Sequence, residues 1–176
     1  MRSPRVRATL VLMLFTVMPG PPAAAASLKD ELLRDWLDMK QTIVKIAEEM
    51  PEDKYGFKAT PPERTYAEQV THIAQGNLVN LAYLHPKTPP PTITRGVTSK
   101  TEAIKAMVAS FDYGAAVINE QTDATLLDVV DAGRFLGQST KARVIWFLLG
   151  HSWDIYGQMA VYLRLSGGVP PASQRP

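Results

Sequence analysis

The chain has 176 residues, 19 Lys and Arg against 17 Asp and Glu, and no cysteine. The lack of cysteine excludes disulfides, thiolate zinc sites and cysteine nucleophiles. Three of the basic residues, Arg2, Arg5 and Arg7, belong to an N-terminal leader, which leaves 16 basic residues against 17 acidic ones, formally −1; with no Lys/Arg cluster to track phosphates, nucleic acid is not expected as a partner.

Residues 1–26 read as a secretory signal peptide. The three arginines precede an apolar run from Leu10 to Met18, which is too short to span a bilayer as a membrane helix, and Ala24-x-Ala26 supplies small residues for cleavage before Ser27. The expectation is cleavage near Ala26 and a secreted or periplasmic protein with no membrane span after cleavage. Residues 27–171 then form one domain, followed by a short tail, 172–176.

The first domain helix is predicted from Ser27 to Met50. Ser27 and Asp30 suggest a capping box, and Leu28, Leu32, Leu33, Trp36, Leu37, Ile43, Val44, Ala47 and Met50 trace an apolar face. From Pro51 to Arg64 the chain holds Pro51, Gly56, Pro61 and Pro62 with Tyr55 and Phe57 interleaved, a loop pinned by aromatics. Thr65 and Glu68 cap a second helix, whose face carries Tyr66, Val70, Ile73, Leu81 and Leu84 with His72 beside it. That helix ends near His85, which is read as a surface or C-cap residue, and the proline-rich run to Pro91 predicts an extended crossover. Ser99 and Glu102 open a third helix with Ala103, Ile104, Met107, Val108, Phe111, Ala115 and Ile118 on one face. Asp123 to Ser139 is ambiguous between a short hairpin and a loop. Thr140 to Pro171 closes the domain as a long helix and its stop, with Val144, Phe147, Leu148, His151, Ile155, Met159, Tyr162 and Leu163 inward. Ser166-Gly167-Gly168 and Pro170-Pro171 give it a left-handed exit and a stop. Four amphipathic helices predict an all-α four-helix bundle.

His72 and His151 lie on separate helices whose apolar faces should meet, so each is read either as a polar core residue or as a metal ligand. The segment HSWDIYGQMAVYLRLSGGVPP, from His151 to Pro171, resembles the last helix of the DinB-like, YfiT-related metalloenzyme family, where a His-x-x-x-His pair precedes a Gly-Gln step. Tyr55 to Asn77 resembles the same family's aromatic-Pro loop and the helix bearing its first histidine, here His72. The resemblance implies an up-down-down-up bundle, compatible with the proline-rich crossover, and a divalent metal (zinc, nickel or iron) held by three imidazoles. This chain keeps His72 and His151 of that set, while Ile155 occupies the place of the third. Glu68, Asp154 or water are the alternatives for the missing donor.

Two functions follow as expectations. One is a metal-dependent transferase or hydrolase resembling the thiol-dependent transferases, acting on a small molecule with a low-molecular-weight thiol. The other is a non-catalytic binding module whose metal site is lost or weakened, with a cavity between helices for a small ligand. A homodimer is compatible with exposed apolar helix faces, without any indication of the patch.

Overall fold

Helix α1 (Leu28–Glu49) buries Leu32, Trp36, Met39, Ile43 and Ile46, a four-three-four-three spacing that makes one continuous seam along it. The structure, a computed structural model, describes residues 26–174; the signal peptide expected over residues 1–26 lies, apart from Ala26, outside the described residues. The Ser27 hydroxyl accepts the Asp30 amide at 3.1 Å, so the cap forms with its Ser half alone. Leu37, expected on the inner face, is 39% exposed, because it falls off the seam that Trp36 and Met39 define.

The loop after α1 is held as its composition suggests. The Tyr55 hydroxyl donates to Ala47 O and that of Tyr66 to Ile46 O, both at 2.7 Å, and the two rings meet edge to face. Helix α2 (Tyr66–Leu81) opens with a complete capping box between Thr65 and Glu68. It buries residues on two faces, from Gln69 and Val70 to Asn77 and Leu81, because it has neighbours on both sides. A 3-10 turn (Ala82–Leu84) follows, and His85 stops it in the left-handed conformation, exposed.

Helix α3 (Lys100–Asn119) begins where Ser99 accepts the Glu102 amide. The crossover that precedes it is tied down at its start, where the Lys87 and Thr88 amides donate to the Glu120 carboxylate. Between α3 and the closing helix the ambiguous stretch forms α4 (Asp123–Leu126), β1 (Val129–Asp131), α5 (Gly133–Leu136) and β2 (Gln138–Thr140), the strands pairing antiparallel with Val130 opposite Ser139. Helix α6 (Lys141–Leu165) is capped by Thr140 and ends as expected, with Gly167 at φ 86° and the Gly168 amide reaching back to Leu163 O at 2.8 Å. No described helix is long and apolar enough to cross a membrane.

The bundle consists of α1, α2, α3 and α6. Lys100 at the start of α3 bonds carbonyls at the end of α1, while Asp123 just past α3 accepts amides at the start of α1, so these two run antiparallel. Tyr66 at the start of α2 also sits at the end of α1, and the ends of α2 and α3 meet through Glu120, so α2 and α3 are parallel. Helix α6 lies antiparallel to α2, with Tyr162 near the start of α2 and His151 against its middle. The order is up-down-down-up, with α1 and α2 each packed between α3 and α6. The core runs through all four, from Trp36 and Phe111 to Leu148 and Met159.

Candidate functional site

His72 and His151 meet where α2 and α6 cross. Their Nε2 atoms are 3.2 Å apart and the rings lie at 66° to one another. Two nitrogens bound to one tetrahedral zinc are about 3.3 Å apart, given bonds of about 2.0–2.1 Å, so the separation matches both a shared ion and an N–H···N hydrogen bond between neutral rings. Burial pushes both histidines down, His72 to about 4, helped by the Arg64 guanidinium and the neighbouring His151, with Asp154 pulling the other way. Both are therefore neutral near pH 7, the form that ligates metals.

The packing that orients them is specific. Gly76, one turn beyond His72, lets the His151 ring lie directly on α2, since a Cβ there would come within 3.1 Å of His151 Cε1. Phe147, one turn before His151 on α6, stacks on the ring at 19°. His151 Nδ1 is buried and finds no hydrogen-bond partner among the described residues.

The third donor does not assemble. Ile155 is 2% exposed and packs into the core as hydrocarbon. The Glu68 carboxylate is committed to the cap, accepting the Thr65 amide at 2.6 Å, a bond that also holds its pKa down. Asp154 is exposed and accepts a hydrogen bond from Gln158 Nε2. Among the described residues no three His, Asp or Glu side chains converge.

One turn from the pair, Gln69 is fully buried and donates through Nε2 to Gln158 Oε1 at 2.8 Å, while its own Oε1 has no partner among the described residues. Gln158 belongs to the run that carries the resemblance, whereas no motif marks Gln69. The available signal was a glutamine set among Ala67, Val70 and Ile73. Tyr162, on the inward face of α6 as its spacing predicts, is buried and donates its hydroxyl to Arg64 O, and so ties the loop to α6. Arg164 near the helix end bonds the Ser173 hydroxyl.

His72 borders two clefts. One, of about 530 Å³, is lined by Val79, Tyr83, Arg134, Phe135, Phe147 and His151 and is mostly apolar, its outer wall supplied by α5. There the Arg134 guanidinium lies over the Phe135 ring, which is 77% exposed. The other, of about 430 Å³, is polar and is lined by Lys58, Arg64, Glu68 and Gln75 among others. A larger groove between α1 and α3 contains no histidine. The residue common to the two clefts at the pair is thus the neutral imidazole of His72.

A family model described as the DinB superfamily matches residues 36–159. Among solved structures the fold is similar to a DinB-like protein from Bacillus cereus, at 21% identity and a TM-score of 0.67 over 80% of this chain and 93% of that one. It is also similar to a DinB-like protein from Bacillus subtilis, at 17% identity and a TM-score of 0.61 over 82% of this chain and 99% of that one. No curated protein matches the chain. The family match runs from Trp36 in α1 to Met159 in α6 and so takes in both histidines and the bundle that joins them: the chain belongs to the DinB superfamily.

Proposed function

We propose that the protein is a small-molecule-binding bundle whose His72 and His151 can hold a divalent cation, zinc, nickel or iron, only weakly. The observation that carries this reading is the 3.2 Å approach of two neutral imidazole nitrogens at the edge of an apolar cleft. The residues fit a two-imidazole site and do not fit the three-imidazole site that the resemblance implies, because Ile155 seals the third position with a buried side chain. Solvent or a ligand would have to complete the coordination.

The thiol-dependent transferase reading is supported by one feature, the access to His72 from both clefts, which brings a ligand's donor atom beside the imidazole pair. A bound ion would supply Lewis acidity there and lower the pKa of a thiol. No step is derived through it from two protein donors. Export to the periplasm or beyond remains part of the proposal on the leader's pattern; the intact mass of the exported protein tests it, with a retained Met1 refuting cleavage.

Zinc titration with a competing chelator tests the site. Wild-type protein purified without an affinity tag is expected to lose its metal on dialysis, and Ile155→His is expected to tighten zinc binding at least about a hundredfold by supplying a third ligand. Stoichiometric metal that survives chelation in the wild type, or zinc binding unchanged in His72→Ala, would overturn the reading.

A further inference from the structure

Trp146, Gly150, Trp153 and Gly157 follow one another on α6 at steps of four, three and four, and so share an arc of about 60° on the helix surface. All four are exposed, the tryptophans at 61% and 54%. A Cβ built on Gly150 or Gly157 meets nothing within 4 Å. Both glycines weaken the interior of a long helix without relieving any contact among the described residues. Gly114 and Gly168 differ, since the first makes room for Trp36 and the second for Leu163. The stripe therefore carries two large knobs and two bare stretches of backbone that the fold of a single copy does not require.

The order of knobs and bare stretches is self-complementary. If a second α6 crosses the first antiparallel, with a two-fold axis between His151 and Ser152, Trp146 falls opposite Gly157 of the second copy and Trp153 opposite its Gly150. The reverse pairs follow by symmetry, as an isologous contact demands. Beside Gly150 a groove of about 360 Å³ opens between α1 and α6, lined by Asp35, Asp38, Met39 and Leu149 among others. It offers apolar walls for an indole and, at the rim, carboxylates for its N–H.

We infer that the outer face of α6 is where the protein associates with itself, two copies packing α6 on α6 antiparallel with each tryptophan seated over a glycine of the other. This inference does not rest on the metal or ligand reading. The His72–His151 pair faces α2, and neither cleft at His72 is lined by a residue of the stripe.

Sedimentation velocity from about 1 to 100 µM protein tests it, a range that brackets interfaces of modest size. The wild type is expected to dimerise, and Trp153→Ala to weaken association at least tenfold. Gly150→Leu, whose new side chain enters open space within the monomer, is expected to abolish the dimer while circular dichroism and melting temperature show a fold as stable as the wild type or more so. Because the chain has no cysteine, register can be read directly. Gly150→Cys and Trp153→Cys proteins, oxidised as a mixture, should cross-link to one another and not to themselves. A wild type that stays monomeric throughout, a dimer indifferent to Gly150→Leu, cross-linking of like with like, or binding of the monomer to lipid vesicles in place of self-association would each overturn the inference.

Discussion

Gly76 and His151 touch across the α2–α6 junction because residue 76 has no side chain: a Cβ there would lie 3.1 Å from His151 Cε1 and 3.4 Å from its Nδ1. The contact sets where the imidazole sits. In Gly76→Ala the methyl displaces the ring by a few tenths of an ångström, while alanine improves the helix by about 1 kcal/mol. Stability measured by urea denaturation should therefore change by no more than about 1 kcal/mol, while zinc affinity falls at least about tenfold as the Nε2 atoms move out of register. Unchanged affinity would mean that Gly76 does not set the ring's place.

The same reasoning gives the opposite balance at Gly114. A Cβ there would collide with Trp36 Cζ2, and Trp36 is fully buried with its indole N–H bonded to Phe111 O at 2.8 Å. The indole has no space to yield. Gly114→Ala should cost about 1–3 kcal/mol of over-packing, more than the helix gains, and lower the urea midpoint with the m-value unchanged.

Both histidines are pushed down by burial, His72 to about 4 from an ordinary value of 6.5. Between those values the unfolded chain binds more protons than the folded one, so stability rises with pH across this window. It is fully present above about 6.5 and is lost as pH falls toward 4. Melting temperature should therefore drop more steeply from pH 7 to pH 4.5 in the wild type than in a His72→Gln, His151→Gln double variant, since both share the same carboxylates. Parallel pH profiles would show that the pair does not titrate in this way.

Asp123 accepts the amides of Leu28 and Lys29 at 3.3 and 2.9 Å and so caps a helix that begins 95 residues earlier. Asp123→Ala should cost about 0.5–1 kcal/mol, the lower end of capping values because the bonds are exposed. Hydrogen exchange should show faster opening in the first turn of α1 and little change in its second half. Uniform protection along α1 would count against the cap.

The helices, their caps and the left-handed exit of α6 were legible from residues alone, because each depends on groups no more than a few positions apart. Thr65 with Glu68 and Gly167 before Gly168 are local devices, and they form as written. Local pattern was weaker where the chain lacks a period: the stretch from Asp123 to Ser139 turned out to hold a hairpin whose β1 and β2 are three residues each. Leu37 shows the limit within a helix, since its apolar character did not place it on the buried seam.

The sequence by itself determined that this is an all-α chain with two histidines on facing helices and an isoleucine where a third ligand was expected. Only the tertiary structure decided that His72 and His151 come to 3.2 Å, that Gln69 reaches Gln158, that Glu68 is spent on a cap and that Asp123 closes the start of α1. The reason is physical. A helix is specified by neighbours within one turn, whereas the meeting of two side chains 79 positions apart depends on the register of antiparallel helices, which no local pattern records and which the whole packed core sets at once.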